Sequence, residues 1–164
     1  MSKEAFAHAE TGKLLTLLDE AARRSAVSRG QAFEDFLHMS VCALAGGRME
    51  DQYLAIVKKH SAGEKGKRGC DGLSHLFGEM INQMELTNGE MKDVLGDLFQ
   101  GAITYGEAGQ FLTPESITRL MAQLSTADVQ PEPDHTPTVC DPCCGSGRML
   151  LAVAEQNRHW QFVG

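Results

Sequence analysis

The stretch Val139-Cys140-Asp141-Pro142-Cys143-Cys144-Gly145-Ser146-Gly147-Arg148-Met149-Leu150-Leu151 leaves its backbone few options. A β-prone run at 138–141 enters a turn broken by two glycines, and an apolar helical pattern over 148–157 begins immediately afterwards. Glycine reaches left-handed conformations without steric cost and lets the main chain approach a ligand closely. The first turn of the following helix presents N–H groups that have no acceptor within the helix. A second β-prone run at 160–163 then completes a β-α-β pattern before the sequence stops at Gly164. The expectation is an α/β unit that has begun and is not finished.

A chain of 164 residues suits one compact domain, or a helical domain with an appendage. With 42% hydrophobic and 23% charged residues, the composition is that of a globular protein. No run approaches the roughly 20 apolar residues needed to cross a bilayer, and Met1-Ser2-Lys3-Glu4 leads into a polar helix rather than a signal peptide, so a cytoplasmic location is expected. Five cysteines, an odd number, argue against a disulfide framework. Cys140, Cys143 and Cys144 cluster, but a zinc site needs a fourth ligand, which Cys42, Cys70 or His135 would provide only by a fortunate fold. Small thiols, with Cys140 buried in its strand, are the simpler reading, and no metal is expected.

Charge is unevenly spread. Residues 1–70 carry a net +2 and residues 71–164 a net −9 within a total of −7. An acidic body repels a phosphate backbone unless another domain or subunit supplies positive surface. The basic run Lys58-Lys59-His60 with Lys65, Lys67 and Arg68 has no aromatic partners and reads as a solvated loop. Over 61–69, three glycines and several charges suggest a flexible or function-dependent segment.

Apolar periodicity predicts helices over 5–26, 31–45, 49–60 and 70–86, with a break at Ser28-Arg29-Gly30. The expected inward residues include Val41 and Leu44 in the second helix, Leu54 in the third and Met84 in the fourth. A short helix over 93–103 follows. Thr113 is placed to cap a helix beginning at Pro114 and running to about 124, with Ile117, Leu120, Met121 and Leu124 facing inward. Three prolines within 126–137 read as a linker. The expected organisation is a mainly α-helical bundle over 1–125, that linker, and an incomplete β-α-β unit over 138–164.

Strand, Asp-Pro-x-x-Gly-Ser-Gly and helix, preceded by Gly-Gln-Phe-Leu-Thr-Pro, resembles the N6-adenine DNA methyltransferases of type I restriction–modification systems and their single-chain relatives. The resemblance is close over 109–151 and looser from about residue 33 onward. It implies a helical amino-terminal domain ahead of a Rossmann-like domain that uses S-adenosyl-L-methionine to methylate adenine N6 in a specific DNA site. By the same resemblance the cofactor would be bound by Gln110, Phe111, Thr113, Pro114, Asp141, Cys143, Gly145, Ser146 and Gly147. Gly145 and Gly147 would let the loop pass under the methionine portion. The helix at Arg148 would face the carboxylate, and Asp141 the ammonium group.

The family's ribose-binding carboxylate would come just beyond Gly164, and its Asn-Pro-Pro-[Tyr/Phe] element for the flipped adenine is absent from these residues, so no catalytic residue is assigned here. The expectation is therefore the amino-terminal part of a methyltransferase, binding its cofactor weakly and inactive by itself. DNA would be a partner of the full-length protein only, with specificity or restriction subunits as further partners. The alternative is a catalytically silent helical module that associates with a restriction–modification partner. Two parallel strands with an open edge also suggest pairing with a second copy.

Overall fold

The computed structural model describes residues 6–85, 90–104, 112–129 and 135–164. They fall in two compact units, Phe6–Gln83 and Met84–Gly164.

The first unit is helical. Helix α1 (Thr11–Ser25) starts later than expected, after a turn in which the Thr11 and Lys13 N–H groups bond the His8 and Glu10 carbonyls. The apolar stripe begins only at Leu14, so residues 6–10 have no buried face to hold them helical. It ends at Ala26, which takes the left-handed conformation (φ 54°) while the Val27 N–H returns to the Ala22 carbonyl at 3.1 Å. The anticipated break at Ser28-Arg29-Gly30 is instead the start of α2 (Arg29–Leu44), where Ser28 Oγ accepts the Gln31 N–H at 3.2 Å. Helix α3 (Glu50–Lys59) and α4 (Gly69–Glu85) follow.

Side-chain facing departs from expectation at several positions. Ala32, Phe33, Phe36 and Met39 form the inward stripe of α2, which turns Val41 and Leu44 outward; Leu54 and Met84 are likewise exposed. The core consists of those residues with Leu14, Leu18 and Ala21 of α1 and Leu73, Leu76 and Met80 of α4. Close approach of α1 and α4 depends on glycine: a Cβ at Gly72 would lie 3.1 Å from the Ala21 Cβ. Arg29 clasps Asp19 with two hydrogen bonds of 2.6 and 2.8 Å, and Lys13 meets Glu79 at 2.7 Å.

His60 is fully buried between these helices. Its Nε2 lies 2.9 Å from Asp35 Oδ2 and its Nδ1 2.6 Å from Ser25 Oγ. Because a carboxylate only accepts, Nε2 carries the proton. Burial pushes the Asp35 carboxyl up, but hydrogen bonds from Lys59 and His60 outweigh it and hold the group below its ordinary range. The segment expected to be flexible is tied down through Asp71, whose Oδ2 accepts the Gly66 and Arg68 N–H groups at 2.9 Å each. Arg68 also donates from its side chain to both Asp71 oxygens.

In the second unit, α5 (Val94–Leu98) runs directly into a π-helical turn (Phe99–Ile103), closed by the Thr104 N–H on the Phe99 carbonyl at 3.0 Å. Then come α6 (Glu115–Thr126), β1 (Thr138–Cys140), α7 (Arg148–Gln156) and β2 (Gln161–Val163). The strands are parallel, with Thr138, Val139 and Cys140 opposite Gln161, Phe162 and Val163. Ala122, Ala152, Val153 and Trp160 form a small core on which Val139 and Phe162 rest.

Strand alternation turns Val139 inward, so Cys140, expected to be buried, faces out. Helix α6 meets α7 through Thr118 and Ala122, so Ile117, Leu120, Met121 and Leu124 are exposed rather than inward. This packing draws α6 into the same compact unit as the glycine turn. Among the described residues, no helix is long and apolar enough to cross a membrane, and no group of His, Cys, Asp or Glu is placed to hold a metal.

Candidate functional site

The site is built on the turn between β1 and α7. Pairing extends one residue past β1, the Asp141 N–H bonding the Val163 carbonyl at 2.9 Å, and the chain then leaves the sheet. Asp141 Oδ1 folds forward to accept the Cys143 N–H at 3.0 Å, an aspartate turn that starts the loop. Gly145 (φ 56°) and Gly147 (φ 81°) both take left-handed conformations, which an L side chain adopts at a cost of about 1–2 kcal/mol. The Gly147 N–H closes the turn on the Cys144 carbonyl at 2.8 Å, and the Gly147 carbonyl accepts the Leu151 N–H, the first bond of α7. Cys143, Gly145 and Ser146 are exposed, Asp141 and Gly147 half-buried.

The segment 112–114 lies against this loop. A Cβ on Gly145 would stand 3.6 Å from Leu112 Cδ2, so the loop runs over that side chain. Pro114 has extended backbone (ψ 142°), and its carbonyl accepts the Ile117 and Thr118 N–H groups at 3.0 Å each. Pro114 therefore occupies the capping position expected of Thr113. Thr113 sits outside the helix with no capping role, leaving its carbonyl to accept Arg148 Nη1 at 3.0 Å. Thr113 and Pro114 are both exposed. Of the residues expected to contribute, Gln110 and Phe111 lie outside the described residues.

Sequence reasoning did not single out the group that joins these pieces. Arg148, at the first position of α7, is 8% exposed, and Asp93, immediately before α5, is 4% exposed. Arg148 Nε donates to Asp93 Oδ2 at 2.9 Å, and Ser146 Oγ donates to the same oxygen at 2.5 Å. Asp93 Oδ1 accepts the Gly96 N–H at 2.8 Å. A cation at a helix N-terminus is opposed by the helix dipole, and a buried guanidinium needs a partner; the Asp93 carboxylate answers both. The available signals were an arginine beginning an apolar helix and the spacing Asp93-x-x-Gly96 just before an apolar run.

Chemically the arrangement offers an exposed, glycine-built loop. Its α7 end has first-turn N–H groups suited to a carboxylate, and its strand end has the Asp141 carboxylate, suited to a cation. The neighbouring Thr113-Pro114 edge is fixed to it through Arg148.

Residues 90–161 match the N-6 DNA Methylase family. A type II methyltransferase, M.MamI of Microbacterium ammoniaphilum, is 30% identical over an alignment of 95 residues that covers 49% of this chain and 25% of that relative. This chain thus spans about a quarter of the length of that relative. No solved structure matches it.

Proposed function

We propose, from the match of residues 90–161 to the N-6 DNA Methylase family, that this chain supplies the cofactor-loop part of a site-specific adenine-N6 DNA methyltransferase that uses S-adenosyl-L-methionine. On this reading β1, α7 and β2 open a Rossmann-like sheet. What carries the reading is the convergence of two sequence-distant elements: the Arg148 guanidinium holds the Thr113 carbonyl at 3.0 Å while Gly145 passes over Leu112. A glycine turn used only for chain reversal has no need of the second element.

The residues fit the cofactor. Loop backbone at Gly145 is exposed and bare of side chain; the α7 first turn would hold the methionine carboxylate and the Asp141 carboxylate its ammonium group. When bound, the cofactor supplies an activated methyl group on a sulfonium. The part of this chain is to bind and orient: catalysis by positioning requires reacting atoms to be held within a preorganised frame. DNA is the proposed substrate of the whole enzyme, with an acidic balance of −9 over 71–164 implying that positive surface comes from elsewhere.

Calorimetric titration with S-adenosyl-L-methionine tests the reading. Saturable binding to the native chain, abolished by Gly145→Val, is expected. Absence of binding at millimolar cofactor, or binding indifferent to that substitution, would overturn it.

A second reading, an interaction module for a restriction–modification partner subunit, is favoured by one observation: Ile117, Leu120, Met121 and Leu124 form an exposed stripe at helical spacing along α6. Cofactor titration separates it from the first, because a silent module shows no response to Gly145→Val.

A further inference from the structure

We propose that Asp93 is a positioning residue for the cofactor loop, acting through Ser146 and Arg148, and that it presets the loop in its binding shape. The inference rests on the cofactor reading above and adds to it a residue that lies 53 positions before the loop it controls.

Four observations carry it. First, the carboxylate is buried and collects three donors: the Gly96 N–H on one oxygen, and Ser146 Oγ and Arg148 Nε on the other. Second, its own place is fixed, because a Cβ at position 96 would fall 2.0 Å from Asp93 Oδ2; only glycine there admits the carboxylate. Third, Ser146 is the residue between two left-handed glycines, so a bond from its hydroxyl restrains both φ angles at once. Fourth, Arg148 Nη1 donates to the Thr113 carbonyl, so the same carboxylate orients the guanidinium that aligns the Thr113-Pro114 edge. One anion thereby sets the loop, the start of α7 and the edge facing them.

A loop rich in glycine loses much conformational freedom when it is ordered. If ordering is completed before ligand arrives, that entropy does not oppose binding. A purely structural salt bridge predicts something different: its loss would lower stability across α7 and leave the affinity of the folded fraction unchanged.

The test compares the native chain with Asp93→Asn and Ser146→Ala by amide hydrogen exchange, thermal unfolding and calorimetric titration with S-adenosylhomocysteine. Asp93→Asn keeps the side-chain shape and removes the charge; Ser146→Ala removes a single hydroxyl and guards against a variant that fails to fold. The Gly147 N–H, bonded to the Cys144 carbonyl, reports the loop, and the Ala152 and Val153 N–H groups report the helix. In Asp93→Asn the Gly147 amide is expected to exchange about tenfold faster, with affinity of the folded protein falling by about tenfold, while the helix amides move far less. Ser146→Ala is expected to shift the same two readouts in the same direction by about threefold.

Exchange that accelerates equally in loop and helix, or a loop unaffected by both substitutions, would overturn the inference. If the native chain fails to bind S-adenosylhomocysteine, the cofactor reading falls while the exchange comparison still decides whether Asp93 sets the loop.

Discussion

Gly96 and Asp93 are fitted to one another: the volume a side chain at 96 would fill is the volume into which the Asp93 carboxylate folds, 2.8 Å from the Gly96 N–H. Gly96 is therefore required for space and not for an unusual backbone angle. Gly96→Ala should displace the carboxylate from both Ser146 and Arg148 and destabilise the second unit by about 1–3 kcal/mol, the usual range for overpacking a buried site. Urea denaturation followed by Trp160 fluorescence measures it. A midpoint equal to that of the native chain would show that the carboxylate has another place to go.

Ala26 predicts the opposite sign. It ends α1 in the left-handed region, at φ 54°, where glycine is unstrained and alanine is not. Ala26→Gly should raise stability by about 0.5–1 kcal/mol even though no contact is added. A thermal midpoint that rises on removing a methyl group checks this; a fall would mean that the Ala26 side chain contributes packing that outweighs its backbone strain.

Acid should destabilise the first unit. Hydrogen bonds from Lys59 and His60 hold Asp35 low against the upward push of burial. The Arg68 guanidinium, with the Arg68 and Gly66 N–H groups, holds Asp71 well below the carboxylate range, and Lys13 with Gln83 lowers Glu79. Each folded-state value lies below its unfolded one, so the stability these groups contribute is complete above the unfolded value of about 4 and is lost as pH falls through the folded values. Urea midpoints should hold level from pH 7 to about 5 and decline below about 4. Asp35→Asn should be less stable at pH 7 yet show a shallower decline; an unchanged slope would remove Asp35 from the account.

The two faces of α6 should respond differently. Leu124, 71% exposed, should accept glutamine with a change within about 0.5 kcal/mol. Ala122, 1% exposed against α7, should lose about 1–3 kcal/mol on replacement by leucine. Equal effects at both positions in urea titrations would mean that the apolar stripe is covered in solution.

The α6 result shows where sequence reasoning reaches its end. Periodicity placed the helix closely, because it depends on neighbours three and four residues apart. It did not give the buried side, because which face meets α7 depends on a partner distant in sequence, and the face it meets carries Thr118 and Ala122. The loop Asp141–Gly147 was legible for the same local reason: two glycines, an aspartate turn and the following helix lie within ten residues. Thr113-Pro114 was legible as an element, but its capping residue was off by one, since the extended backbone of Pro114 moves the helix start to Glu115. Asp93 and His60 were not legible, because isolated acidic and imidazole side chains carry no periodic signal. What makes each of them central is which distant donors and acceptors the fold brings within 3 Å.

His60 gives the helical unit an unusual economy of connection. One imidazole reaches α1 through Ser25 and α2 through Asp35, while the carbonyl of the same residue accepts the Cys70 N–H in α4, with α3 ending at its own backbone. Four helices therefore share a single buried node. Loosening of the α1 end, of the α3 end or of the α4 start breaks a bond to the same buried residue, which couples the three.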